Sequence, residues 1–215
     1  MTIVIVLLVT FLALAIIAYG SSNIHSGMFL EAKCKNDSEE IMLTFDDGPD
    51  PVNTPKLLDV LDKYGVKATF FMIGEKVDKY PEVVKEVHRR GHRIAGHTYY
   101  HNPWHNFLIH RKYMDELKKA HESFAKLGIE ITDFRPPLGI TTPTVASACT
   151  RMHYTVWGWS VRSFDTMNKP RKAVLARIVK RLHPRGVILL HDRMDGVAEL
   201  TEGVILAIRE KGLKV

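Results

Sequence analysis

Two adjacent carboxylates, Asp46 and Asp47, stand where an apolar run, residues 41–45, meets Gly48 and Pro49. An unpaired carboxylate is costly to bury, so a strand that ends in two of them is expected to face a cation or to do chemistry. The plainer reading is an Asp-rich turn ahead of a helix, since Asp-Gly and Gly-Pro are ordinary turn signals. Further along, His97 and His101 flank Thr98, Tyr99 and Tyr100. At i and i+4 two imidazoles share one face if the segment coils helically, a workable bite for a divalent metal. The zinc-protease helix carries a Glu between its two His, and this segment has none, so a base must come from elsewhere. The acids at 46 and 47 can meet both needs, one completing a two-His, one-acid shell and the other staying off the metal to take a proton from water.

The elements that must position these groups follow from periodicity. Short apolar runs at 41–45, 68–73, 93–96, 132–135, 154–159, 186–190 and 213–215 read as seven strands. Between them, 55–64, 81–90, 112–127, 143–151, 172–182 and 197–210 have helical period, with Gly65, Gly91, Gly128 and Gly212 placed as stops. Alternating strands and helices predict a parallel sheet in an α/β fold, open or closed, with its ligand site at the carboxyl ends of the strands. That rule selects residues. Asp46 and Asp47, His97, Arg135, Asp165, and His191 with Asp192 all stand at or just past strand ends, a placement that unrelated caps and surface groups would share only by coincidence.

Composition narrows the class. The chain has 215 residues, 46% of them hydrophobic, which fits one domain of ordinary size over 41–215. The net charge of +6 is scattered, without the basic and aromatic interleaving that stacks on nucleic acid, so no such partner is expected. Cys34 and Cys149 can make one bridge or remain two thiols. Residues 3–19 are interrupted only by Thr10, about the minimum for a membrane-spanning helix, so 1–20 reads as an anchor or a signal segment. A cleavable signal normally starts with basic residues, absent here, which favours an anchor, although 18–20 resembles a small-x-small cleavage site. Residues 21–40, rich in Ser, Asn and charge, read as a linker; Lys33 and Lys35 just after the span would by themselves place the rest of the chain inward.

The runs TFDDGP, HTYYH, RPPLG (135–139) and LLHD (189–192), in that order, resemble the polysaccharide deacetylase family, the NodB homology domain of carbohydrate esterase family 4. The resemblance covers about residues 40–215. It implies a distorted (β/α) barrel of about seven strands, a divalent metal, usually Zn2+, and removal of acetyl groups from an N-acetylated polysaccharide or oligosaccharide. It also implies an extracytoplasmic catalytic domain, which outweighs the charge bias beside the span; the chain is expected to act as a monomer. Matched by position, Asp46 resembles the general base; Asp47, His97 and His101 resemble the metal ligands. The backbone N–H of Leu138 would serve the oxyanion, His191 would protonate the leaving amine, and Arg135 and Asp165 would orient Asp46 and His191. Two departures bear on substrate: Leu138 replaces a frequent aromatic, and Thr166 follows Asp165 where many members carry Trp. An O-acetyl esterase acting on xylan or another glycan, and an inactive glycan-binding scaffold, remain as rival readings.

Overall fold

A computed structural model describes residues 2–215. Seven parallel strands lie in the order β5-β4-β3-β2-β1-β7-β6: β1 (Met42–Gly48), β2 (Thr69–Met72), β3 (Arg93–Gly96), β4 (Asp133–Phe134), β5 (Thr155–Val156), β6 (Val161–Arg162) and β7 (Val187–His191). The eight helices are α1 (Thr2–Ser22), α2 (Asn53–Lys63), α3 (Gly74–Lys79), α4 (Pro81–Arg89), α5 (His110–Ala125), α6 (Pro143–Arg151), α7 (Arg171–Val179) and α8 (Val197–Glu210).

The connection from β5 to β6 forces the sheet to curl. These strands lie at opposite edges, which in a flat seven-stranded sheet would be about 29 Å apart at ~4.8 Å per strand. Val156 and Val161 are only five residues apart, a reach of about 17 Å at full extension. The sheet therefore wraps into a half-barrel. The opening between its edges is filled partly by the segment read as a linker: Lys33 N–H donates to the Val156 carbonyl and Gly158 N–H to that of Lys33, at 2.8 and 2.9 Å, while Lys35 bridges to Gly186.

Period-2 alternation then sorts side chains between two cores. Leu43 and Phe45 of β1, Phe70 and Met72 of β2, and Ile188 and Leu190 of β7 point outward into the main core against the helices. Phe71, Ala95, Val187 and Leu189 point inward and form a second cluster with Trp157, Trp159 and Ile24. Asp46, His97 and His191 are in phase with this inner set, which is why the strand ends deliver their polar groups to one place.

Three sequence expectations differ from this. Residues 213–215 form no strand; after α8 the chain only runs past the start of β1, where Ile41 N–H donates to the Lys214 carbonyl at 2.8 Å. The seventh strand is β6, and the expected strand 154–159 shortens to Thr155–Val156 because Trp157 to Ser160 cross the barrel opening. Helix α3 lacks an apolar period, having Val77 as its only large apolar residue, and only packing reveals it. Both cysteines are free thiols, Cys149 buried in the outer core and Cys34 partly buried.

Gly48 illustrates how tightly β1 is held at its polar end. A Cβ there would clash with Asp192 Oδ2, which is fixed by the Thr54 hydroxyl at 2.6 Å. Asp192 is wholly buried, and burial pushes its carboxyl up to about 7. Gly48→Ala is expected to destabilise the fold by about 2 kcal/mol or more, read as a lowered urea midpoint at unchanged slope.

Candidate metal and acid-base centre

Asp46 and Asp47 are the fifth and sixth residues of β1, both buried, yet their surroundings differ. Asp46 Oδ1 accepts from Arg135 Nη1 at 2.6 Å. Arg135 is itself fully buried, stacked on Phe71 at 4.0 Å, and donates further to Thr44 Oγ1 and to the carbonyls of Trp157 and Gly158. Burial draws its guanidinium below the ordinary value while the Asp46 charge opposes this. Arg135→Met would leave Asp46 buried without its partner, and a loss of about 3–5 kcal/mol is expected in equilibrium unfolding. Unchanged stability would mean that the pair does not hold the barrel interior.

Asp47 turns the other way, with left-handed backbone at φ 70°. Its Oδ2 accepts from Arg193 Nε at 2.8 Å, which aims Oδ1 at two imidazoles. That oxygen lies 3.1 Å from His101 Nε2 and 3.5 Å from His97 Nε2. Asp47 Oδ1 is buried and, among the described residues, receives no hydrogen bond. Burial alone would raise this carboxyl; the neighbouring imidazoles, His97 first and then His101 and His191, outweigh it and hold the group well below the carboxylate range.

The two imidazoles come together through a turn, not the helix that their spacing suggested. His97 follows β3; Thr98 and His101 have φ of 59° and 54°, and the rings lie 4.7 Å apart. His97 Nδ1 faces the Arg135 carbonyl at 2.6 Å, so that nitrogen carries the proton and Nε2 presents its lone pair. Burial pulls His101 down to about 4, which keeps it neutral at pH 7.

The ligand atoms of Asp47, His97 and His101 all lie within 4.8 Å of one another. Tetrahedral ligands at ~2.0–2.1 Å from a zinc ion stand about 3.3–3.4 Å apart, close to the two carboxylate–imidazole separations observed. An orphaned buried oxygen beside two lone-pair nitrogens is what a divalent cation would satisfy, so the residues fit the ion that the sequence implied. Asp46 Oδ2 is 3.9 Å from His97 Nε2, outside that cluster.

On the adjoining strand, Asp46 pairs in register with His191. His191 Nδ1 meets Asp165 Oδ1 at 2.8 Å, and its backbone N–H donates to Asp165 Oδ2, also at 2.8 Å, so Nε2 is the nitrogen left for other work. Burial would lower His191, but the hydrogen bond and charge of Asp165, with the charges of Asp46 and Asp47, raise it above the ordinary value. Asp192 faces away, onto Thr54.

Asp46, Asp47, His97, His101 and His191 line one cavity of about 140 Å3, together with Leu138, Trp159, Arg162, Ser163, Phe164, Thr166, Leu189 and Arg193. Leu138 sits on the rim with left-handed backbone at φ 58°. Trp159 forms an apolar wall, packed so closely over Gly139 that a Cβ there would come within 2.5 Å of its ring. Arg193 was missed altogether; its only signal is its position directly after LLHD.

Fold and site together define a curled parallel α/β half-barrel with an Asp-His-His cluster, a second carboxylate and an imidazole at the open end of its strands. A family model described as polysaccharide deacetylase matches residues 33–157, and the chain belongs to that family. It is 34% identical over 187 residues to a peptidoglycan-N-acetylglucosamine deacetylase of Bacillus cereus, covering 83% of this chain and 86% of that one. A second such deacetylase from the same organism is 32% identical over 180 residues, 81% of this chain; the match spans 65% of that relative's length. Among solved structures, a mutant of a carbohydrate esterase family 4 pseudoenzyme with restored enzymatic activity superposes with a TM-score of 0.77 at 26% identity, covering 83% of this chain and 65% of that one. The expected seven-stranded fold is thus borne out, and relatives of this chain are deacetylases of a cell-wall polysaccharide.

Proposed function

We propose that this chain is a membrane-anchored, metal-dependent hydrolase that removes N-acetyl groups from N-acetylglucosamine units of an extracytoplasmic polysaccharide, peptidoglycan or a chitin-like oligomer. The observation that carries this reading is the division of labour at the strand ends: an Asp-His-His cluster, beside it a carboxylate held by Arg135, and next to that an imidazole held by Asp165. The helix α1 is long and apolar enough to cross a bilayer, which supports the anchor.

Asp47, His97 and His101 hold the ion, with Zn2+ the cation best matched to two imidazoles and one carboxylate; when bound it supplies Lewis-acid activation of water and of the acetamide carbonyl. Asp46 takes the proton of the attacking water, its carboxylate kept in place by Arg135. The backbone N–H of Leu138 donates to the developing oxyanion. His191 then gives its Nε2 proton to the departing amine, and Asp165 holds the ring in that orientation and favours its protonated form.

Two expected results follow from the His191 assignment. His191→Ala keeps its metal and loses turnover by a factor on the order of 10² or more. Because the folded pKa of His191 is raised, the acid form persists above the ordinary His range and activity falls only as pH rises through that higher value. The same interaction contributes stability that is complete below the unfolded His value and is lost across that window. Asp165→Asn should move the alkaline limb of kcat to lower pH; an unmoved limb would assign that limb to another group.

The substrate class is tested by acetate release from N-acetylated chitooligosaccharides and peptidoglycan against acetylxylan. Turnover of the N-acetylated glycans supports the amidohydrolase reading, whereas turnover of acetylxylan alone would make this chain an O-acetyl esterase.

A further inference from the structure

Helix α1 does not stand clear of the domain. Thr141 donates from its backbone N–H to the Ser21 carbonyl at 2.9 Å and from its hydroxyl to that of Gly20 at 3.2 Å. One to two turns earlier, Leu14, Ile17 and Ala18 share an apolar cleft with Phe107 and Ile140. Phe107 therefore lies beside the apolar helix, not beyond its end. At 1.5 Å per residue the 21 residues of α1 measure about 31 Å, against a hydrocarbon core of about 30 Å. A bilayer that accommodates α1 must consequently reach to within about a turn of Ser22. Ile17 is roughly 7–8 Å back along the axis, which sets Phe107 at the depth of the bilayer interface.

The sequence around Phe107 suits that depth. A 3-10 turn, Pro103–Phe107, leads directly into α5. Trp104, Phe107 and Ile109 are 76%, 58% and 67% exposed, three large apolar side chains within six residues. Scattered exposed apolar residues need no explanation, but a cluster that adjoins a spanning helix does. Exposed Arg111 and Lys112 follow in the first turn of α5. An aromatic and aliphatic tip next to a basic pair is the pattern of a segment in the headgroup layer, the rings at the boundary and the cations toward anionic lipid.

We propose that residues 103–112 dock on the same membrane that α1 crosses, so that the domain lies against the lipid surface and is not held off it on a stalk. The inference rests on the anchor reading above. It has a consequence for substrate access: only Asn102 and Pro103 separate Trp104 from His101, so docking keeps the metal-binding loop close to the bilayer, in reach of glycan strands at the membrane face.

The three tryptophans allow a direct test. Trp157 and Trp159 are 2% and 8% exposed inside the half-barrel, leaving Trp104 as the one a lipid quencher can reach. The full chain is reconstituted in phosphatidylcholine–phosphatidylglycerol vesicles, with and without bromine on the acyl chains, and recovered by flotation. The expected result is loss of the Trp104 component of emission in brominated vesicles, absent in Trp104→Phe, which keeps full activity on soluble chitooligosaccharide. Phe107→Ser with Ile109→Ser should still float but show less quenching. Floating protein whose Trp104 is quenched by aqueous acrylamide and untouched by bromine overturns the docking while the anchor stands. Protein that fails to float overturns the anchor and the docking with it.

Discussion

Asp46→Asn is expected to lose turnover by a factor on the order of 10² to 10⁴ or more while retaining its full complement of metal. The substitution is close to isosteric, and its side-chain oxygen can still accept from Arg135 Nη1, which now reaches Asp46 Oδ1 at 2.6 Å. The ligand cluster needs nothing from this residue, because Asp46 Oδ2 is 3.9 Å from His97 Nε2 while Asp47 Oδ1 is in contact with both imidazoles. What disappears is the carboxylate beside the cluster that would take the proton of water. Acetate release and metal content measured on the same preparation separate the two effects. An active Asp46→Asn enzyme removes the base assignment, and loss of metal places Asp46 among the ligands.

His101→Ala has the opposite signature: metal and activity vanish together. Removing one of three ligands leaves Asp47 Oδ1 with a single imidazole neighbour, and no described donor is placed to compensate for that oxygen. Thermal unfolding gives a readout independent of activity. A site that binds the folded state only adds about 2.7 kcal/mol at a ligand concentration of 100 Kd, so added zinc should raise the Tm of the parent chain and leave that of His101→Ala unmoved. A variant that still gains stability from zinc would show that the ion is held elsewhere.

How far the sequence reaches is visible in particular residues. The alternation Leu43-Thr44-Phe45-Asp46 contains both the strand and the facing of its carboxylate, because a period of two admits only one inner set. The His97–His101 pair was recognised from a helical spacing, yet it works through a left-handed turn at Thr98 and His101, a conformation that spacing cannot encode. Strand β6 was invisible because its two residues are defined by pairing with β7 and not by their own apolar content. Arg193 and the wall face of Trp159 escaped for a related reason. Each acts through a neighbour far away in sequence, Arg193 through Asp47 and Trp159 through the rim at Gly139. Ile24, in a stretch that reads as polar linker, is buried among the tryptophans of the inner cluster, and only closure of the half-barrel explains it.

The same fold is found in a pseudoenzyme mutant with restored enzymatic activity, which makes turnover itself the property to measure. The most direct measurement is acetate release from N-acetylated chitooligosaccharides by the detergent-solubilised full chain, as purified, after chelation, and after zinc is returned, with metal content followed at each stage. The account predicts activity that falls with the metal and returns with it. Undiminished acetate release from chain shown to be free of metal would contradict it.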